Sequence, residues 1–188
     1  MHQYQLDKPD NLVDFLEESV KRYPDSDMIG MKNAAGEYVW ITYGEFGRRV
    51  DNLRGGLAGL GVKRGDCVGI IANNRTEWAI CAYAAFGLGA RWVPMYEAEL
   101  TSVWKYIVVD SGIKVLFCSK PAIMEKVKDF PKDIKTLEKL ILVEGTGPGS
   151  MEDLERSGSS KPVVSIRPQP DEVACLIYTS GTTGDPKG

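Results

Sequence analysis

One histidine, His2, stands in the 188 residues, and it lies in a terminus expected to fray. Histidine-based proton transfer and histidine metal sites are therefore all but excluded from this stretch of chain. Cysteine is equally sparse. Cys67, Cys81, Cys118 and Cys175 each sit inside an apolar run and no two stand at CxxC spacing, which argues against a zinc or dithiol site and for buried free thiols. No run approaches ~18 apolar residues, and the N-terminal MHQYQLDKPDN lacks the basic flank and apolar core of a secretory signal. Positive charge is not in excess either. The 23 Lys and Arg against 26 Asp and Glu give a net charge of -3, which provides no basic footprint for nucleic acid. A reducing, cytoplasmic compartment is the expectation; peripheral membrane association is left open.

What the chain does have is enough apolar residue, 43%, to bury one sizeable core. NLVDFLEESVKRY places Leu12, Phe15, Leu16, Val20 and Tyr23 at helical spacing behind the cap Asn11. Met28–Met31 and Tyr38–Ile41 flank the turn-forming NAAG as a hairpin. Thr42 and Glu45 form a capping box for a helix whose Phe46, Val50, Leu53, Leu57 and Leu60 recur every three or four residues until Gly59 and Gly61. CVGIIA (67–72) predicts a strand buried on both faces. Asn74 with Glu77 predicts the cap of the next helix, whose Ala79, Ala82, Ala84, Ala85 and Gly87 allow close approach to a sheet. WVPM, a helix over 103–109, KVLFC, a helix over 124–130 and LILV (140–143) continue the alternation. Strand and helix at this spacing predict an α/β fold, a mainly parallel sheet with helices on both faces. Residues 145–170, rich in Gly, Ser and Pro with one short helix over 151–156, read as a surface excursion or linker. A last strand, VACLIY (173–178), delivers the chain into YTSGTTGDPKG (178–188).

That final stretch is poor material for a helix and good material for phosphate. Converging backbone N–H groups need the backbone freedom of glycine, met by Gly181, Gly184 and Gly188; Thr179, Ser180, Thr182 and Thr183 add hydroxyls, and Lys187 adds a mobile cation. Pro186 stiffens the approach to Lys187 and removes one donor. The Walker pattern GxxxxGK[ST] does not fit: counting from Gly181, proline occupies the second glycine position and Gly188 follows the lysine. Standing alone, a Ser/Thr/Gly stretch after a strand is as well explained by a solvated turn.

The whole eleven-residue string, however, resembles the signature of the AMP-forming adenylate-forming superfamily. ITYGEF (41–46) and FGLGARWVPMY (86–96) resemble two further superfamily motifs in the same order, and WKYIVVDSGIKVLFC (104–118) is most similar to long-chain fatty acyl-CoA synthetases. The resemblance implies that residues 1–188 are the N-terminal portion of the AMP-binding large domain, with the remainder downstream. It implies a ligase that joins a fatty acid or other carboxylate to CoA through an acyl-adenylate, with ATP and Mg2+. Lys187 is then the catalytic candidate, and Tyr178, Thr179, Ser180, Gly181, Thr182, Thr183, Gly184, Lys187 and Gly188 the nucleotide-binding loop. The adenine, metal, acyl and CoA sites are implied to lie beyond Gly188, so residues 1–188 alone are expected to be inactive. Coumarate-type ligases, luciferase-like enzymes and peptide-synthetase adenylation domains share the loop and stay open as alternatives, as does a non-catalytic short module.

Overall fold

The computed structural model describes residues 8–179 and 186–188; His2 lies outside them. In chain order the elements are α1 (Leu12–Arg22), β1 (Asp27–Lys32), β2 (Tyr38–Thr42), α2 (Tyr43–Gly59), β3 (Cys67–Ile71), α3 (Thr76–Phe86), β4 (Arg91–Met95), α4 (Thr101–Ser111), β5 (Ile113–Cys118), α5 (Pro121–Val127), α6 (Phe130–Asp133), β6 (Lys139–Leu142) and α7 (Met151–Ser159). The strands β4-β3-β5-β6 form a parallel sheet in that order. Every residue of β3 is buried, as a central parallel strand covered on both faces must be. Val68, Ile70 and Phe117 point toward α2, α3 and α7, whereas Ile71, Leu116 and Cys118 point toward α4 and α5. This two-faced cover is the α/β architecture the alternation predicts. Among the described residues no helix is long and apolar enough to cross a membrane.

The local signals act largely as expected. Asn11 accepts from the Asp14 N–H at 2.9 Å, and Thr42 accepts from the Glu45 N–H at 3.2 Å. The capping box is only half made, because the Glu45 carboxylate turns to Arg48 at 2.6 Å. At the far end of α2, Gly61 adopts φ 80°; its N–H reaches the Ala58 carbonyl and the Val62 N–H reaches that of Leu57. That paired closure is the Schellman stop for which glycine is the favoured residue. The hairpin pairs β1 with β2 antiparallel, apart from the main sheet.

Several expectations need correction. In α1 the buried residues are Val13 and Leu16, while Leu12 and Phe15 are 46% and 48% exposed; the apolar stripe is wider than the surface that covers it. The cap of α3 is Arg75, not Asn74, and it carries no side-chain cap bond; the Arg75 guanidinium instead holds Glu77 at 2.8 Å. The helix expected over 124–130 is two short ones, α5 starting on Pro121 and α6 on Phe130, each opened by a proline in its first turn. Residues 173–178 form no strand. Cys175 makes a single bridge to Trp92, with the Trp92 N–H on the Ala174 carbonyl and the Leu176 N–H on the Trp92 carbonyl, both 2.9 Å. The next bond of that parallel ladder requires an N–H at residue 94, and Pro94 has none.

Within 145–170, α7 runs on to Ser159 and buries Met151 and Leu154. It packs on α2 at glycine contacts: a Cβ at Gly55 would lie 2.6 Å from the Gly158 carbonyl, and one at Gly56 2.5 Å from that of Leu154. Arg49 of α2 closes the contact, its Nη2 2.9 Å from the Glu155 carboxylate. Cys67, Cys81 and Cys118 are buried free thiols and Cys175 is half-buried. Burial pushes the Cys118 thiol up to about 12, which removes it from nucleophilic chemistry.

Candidate functional site

The Ala174–Leu176 segment runs parallel to β4, so it leads the chain to the carboxyl end of the sheet. In open α/β sheets that edge is where ligands bind. There the chain reverses. The Thr179 N–H donates to the Lys187 carbonyl at 3.0 Å and the Lys187 N–H donates back to the Thr179 carbonyl at 3.1 Å. Two residues that exchange both bonds form the closely spaced pair of an antiparallel ladder. They make a neck that closes the loop between them. Of the expected loop residues, Tyr178, Thr179, Lys187 and Gly188 are thus brought together; Ser180, Gly181, Thr182, Thr183 and Gly184 lie outside the described residues.

The neck rests on an aromatic floor. A Cβ at Gly188 would lie 2.7 Å from two atoms of the Tyr178 ring, a separation that only a glycine permits. The Tyr178 hydroxyl donates to Asp110 Oδ2 at 2.5 Å. Burial, and then the hydrogen bond and charge of Asp110, push the phenol well above its ordinary value, so it stays a donor. Asp110 belongs to the last turn of α4, and sequence reasoning did not single it out. A signal was present: a carboxylate at the negative end of a helix dipole breaks the usual charge preference.

Thr179 and Lys187 are exposed, and among the described residues no carboxylate pairs with Lys187. By contrast, Arg75, Glu77, Glu97, Lys120 and Glu144, in the crevice just past the carboxyl ends of β3, β4, β5 and β6, satisfy one another. Glu97 is held by Lys120 at 2.5 Å and by the Asn73 N–H; burial opposes its ionisation, yet the bonds from Lys120 and Asn73 keep its carboxyl below the usual range. Arg75 bridges Glu77 and Glu144, each at 2.8 Å. Such closed pairs leave little capacity for a ligand. The hydroxyl and ammonium at the neck fit the donor side of a phosphate site. For a divalent cation, no group of three or more His, Cys, Asp or Glu side chains converges among the described residues.

Known proteins that this chain resembles are acyl-CoA synthetases and ligases. Long chain acyl-CoA synthetase 7, peroxisomal, of Arabidopsis thaliana is 30% identical over 189 residues, covering 90% of this chain and 27% of that protein. Fatty acyl-CoA synthetase A of Dictyostelium discoideum is 31% identical over 186 residues, covering 90% and 28%. The crystal structure of a long-chain-fatty-acid-CoA ligase from Archaeoglobus fulgidus superposes with a TM-score of 0.82 at 23% identity, over 96% of this chain and 36% of that one; at that identity the likeness speaks for the fold. The chain spans less than a third of the length of these two curated relatives. The family model described as AMP-binding enzyme matches residues 16–188, and the chain belongs to that family.

Proposed function

We propose that the protein carrying this chain is an AMP-forming long-chain fatty acyl-CoA synthetase, and that residues 178–188 hold the phosphates of ATP. The observation that carries the reading is the neck: Thr179 and Lys187 bonded to each other through both backbone amides at the carboxyl edge of the sheet, with the Lys187 ammonium uncommitted among the described residues. In the proposed first step a fatty-acid carboxylate oxygen attacks the α-phosphorus, the bond to the departing pyrophosphate breaks, and an acyl-adenylate forms. In the second, the CoA thiol attacks the acyl carbonyl and expels AMP.

Negative charge grows on pyrophosphate as the first bond breaks. A fixed lysine and hydroxyls nearby lower that barrier without reorganising at the moment of reaction. Thr179 and Lys187 are assigned this task, together with Ser180, Thr182 and Thr183, while Gly181, Gly184 and Gly188 shape the loop. Mg2+ bound to the phosphates would offset further charge. The long-chain assignment is supported by the names of the curated relatives, and CoA as acceptor by the same names. Pyrophosphate release with palmitate or oleate plus CoA tests it: the fatty acids should far outpace coumarate or any amino acid, and equal rates with an amino-acid panel would overturn the substrate class.

A further inference from the structure

We propose that Asp110 is a positioning residue for Lys187, acting through the Tyr178 ring. The chain of contacts is short. Asp110 Oδ2 accepts from the Tyr178 hydroxyl at 2.5 Å, the ring lies under Gly188 with no room for a Cβ, and Gly188 follows directly on Lys187, whose backbone is bonded twice to Thr179. Tyr178 also precedes Thr179. The ring therefore touches the neck at both ends, and whatever fixes the ring fixes the direction in which the Lys187 side chain leaves the backbone.

Asp110 has no other evident reason to be where it is. It is exposed, so it fills no core space, and it stands in the last turn of α4, where a carboxylate faces the negative end of the helix dipole. That last turn holds no basic residue to offset it. A local rule broken without a local gain marks a residue retained for something else, and among the described residues the Asp110 carboxylate takes its hydrogen bond from the Tyr178 hydroxyl. α4 in turn is anchored to the sheet by the fully buried Trp104, whose Nε1 donates to the Tyr96 carbonyl at 2.9 Å. The latch thus refers the loop neck to the rigid sheet rather than to other loops.

The geometric part is tested on the 188-residue chain by amide hydrogen exchange. In Asp110→Ala and Tyr178→Phe the Thr179 and Lys187 amides should exchange at least about tenfold faster than in the wild type, with β3 and β5 unchanged. Asp110→Asn, which keeps an acceptor and supports folding if the alanine variant fails, should stay near the wild type. Unchanged neck exchange in Tyr178→Phe would overturn the latch. The catalytic part rests on the proposed adenylation and is read by ATP–pyrophosphate exchange in the whole protein. Asp110→Ala should lower kcat by about ten- to a hundredfold, Asp110→Asn should recover most of it, and Asp110→Ala should cost almost nothing more once Lys187 is alanine. Additive losses in that double variant would mean that Asp110 does not act through Lys187. If the wild type showed no fatty-acid-dependent exchange, the function would be refuted while the amide measurement still decided the latch.

Discussion

Gly158 of α7 lies so close to Asn52 of α2 that a Cβ at 158 would overlap the Asn52 carbonyl oxygen. The obstacle is backbone on backbone, with no flexible side chain to swing away. Gly158→Ala should therefore destabilise the chain by about 2–3 kcal/mol, the upper part of the overpacking range, with a lower urea midpoint and an unchanged m-value. An unchanged midpoint would mean that the two helices are not held at this distance.

A second expectation concerns acid. Burial works against ionisation of Glu77, but the Arg75 hydrogen bond, the residue's own N–H and the charges of Arg75 and Arg49 outweigh it and hold the carboxyl below its ordinary 4.5. A folded-state value below the unfolded one means stability fully present above the unfolded value and lost as pH falls through the folded one. Stability should therefore begin to fall below about pH 4.5, and Glu77→Gln should flatten that part of the curve while costing about 1 kcal/mol at neutral pH. Identical acid limbs for variant and wild type would contradict the assignment.

Pro94 supplies a third. If its missing N–H is what interrupts pairing between β4 and residues 174–178, Pro94→Val should add a protected amide at 94, bonded to the Leu176 carbonyl, and slow exchange across the segment. An amide at 94 exchanging as freely as an exposed one would show that something else keeps 173–178 out of the sheet.

The elements that could be read from the sequence were those whose causes are local. The Asn11 cap, the Thr42 cap, the Gly61 stop and the unbroken apolar run of β3 each depend on neighbours within a few residues. What could not be read depends on distant partners. VACLIY has the composition of a strand, and what stops it is a proline in β4. Residues 145–170 have the composition of a surface stretch, yet the seat of α7 is cut by Gly55 and Gly56 on another helix. Asn74 and Glu77 fit a cap by spacing, but Arg75 takes the glutamate. The stretch proposed to hold phosphate stood out as a string of residue types, whereas the part proposed for Asp110 needed the fold to bring α4 beneath Tyr178.

Thr179 and Lys187 are proposed to form the neck of a loop that handles ATP phosphates during fatty-acid adenylation. The most direct test of that role is palmitate-dependent ATP–pyrophosphate exchange in the whole protein, wild type against Lys187→Ala. The wild type should show clear exchange and the variant a loss of about ten- to a thousandfold, with acyl-chain preference unmoved. Equal exchange in the two proteins would contradict it.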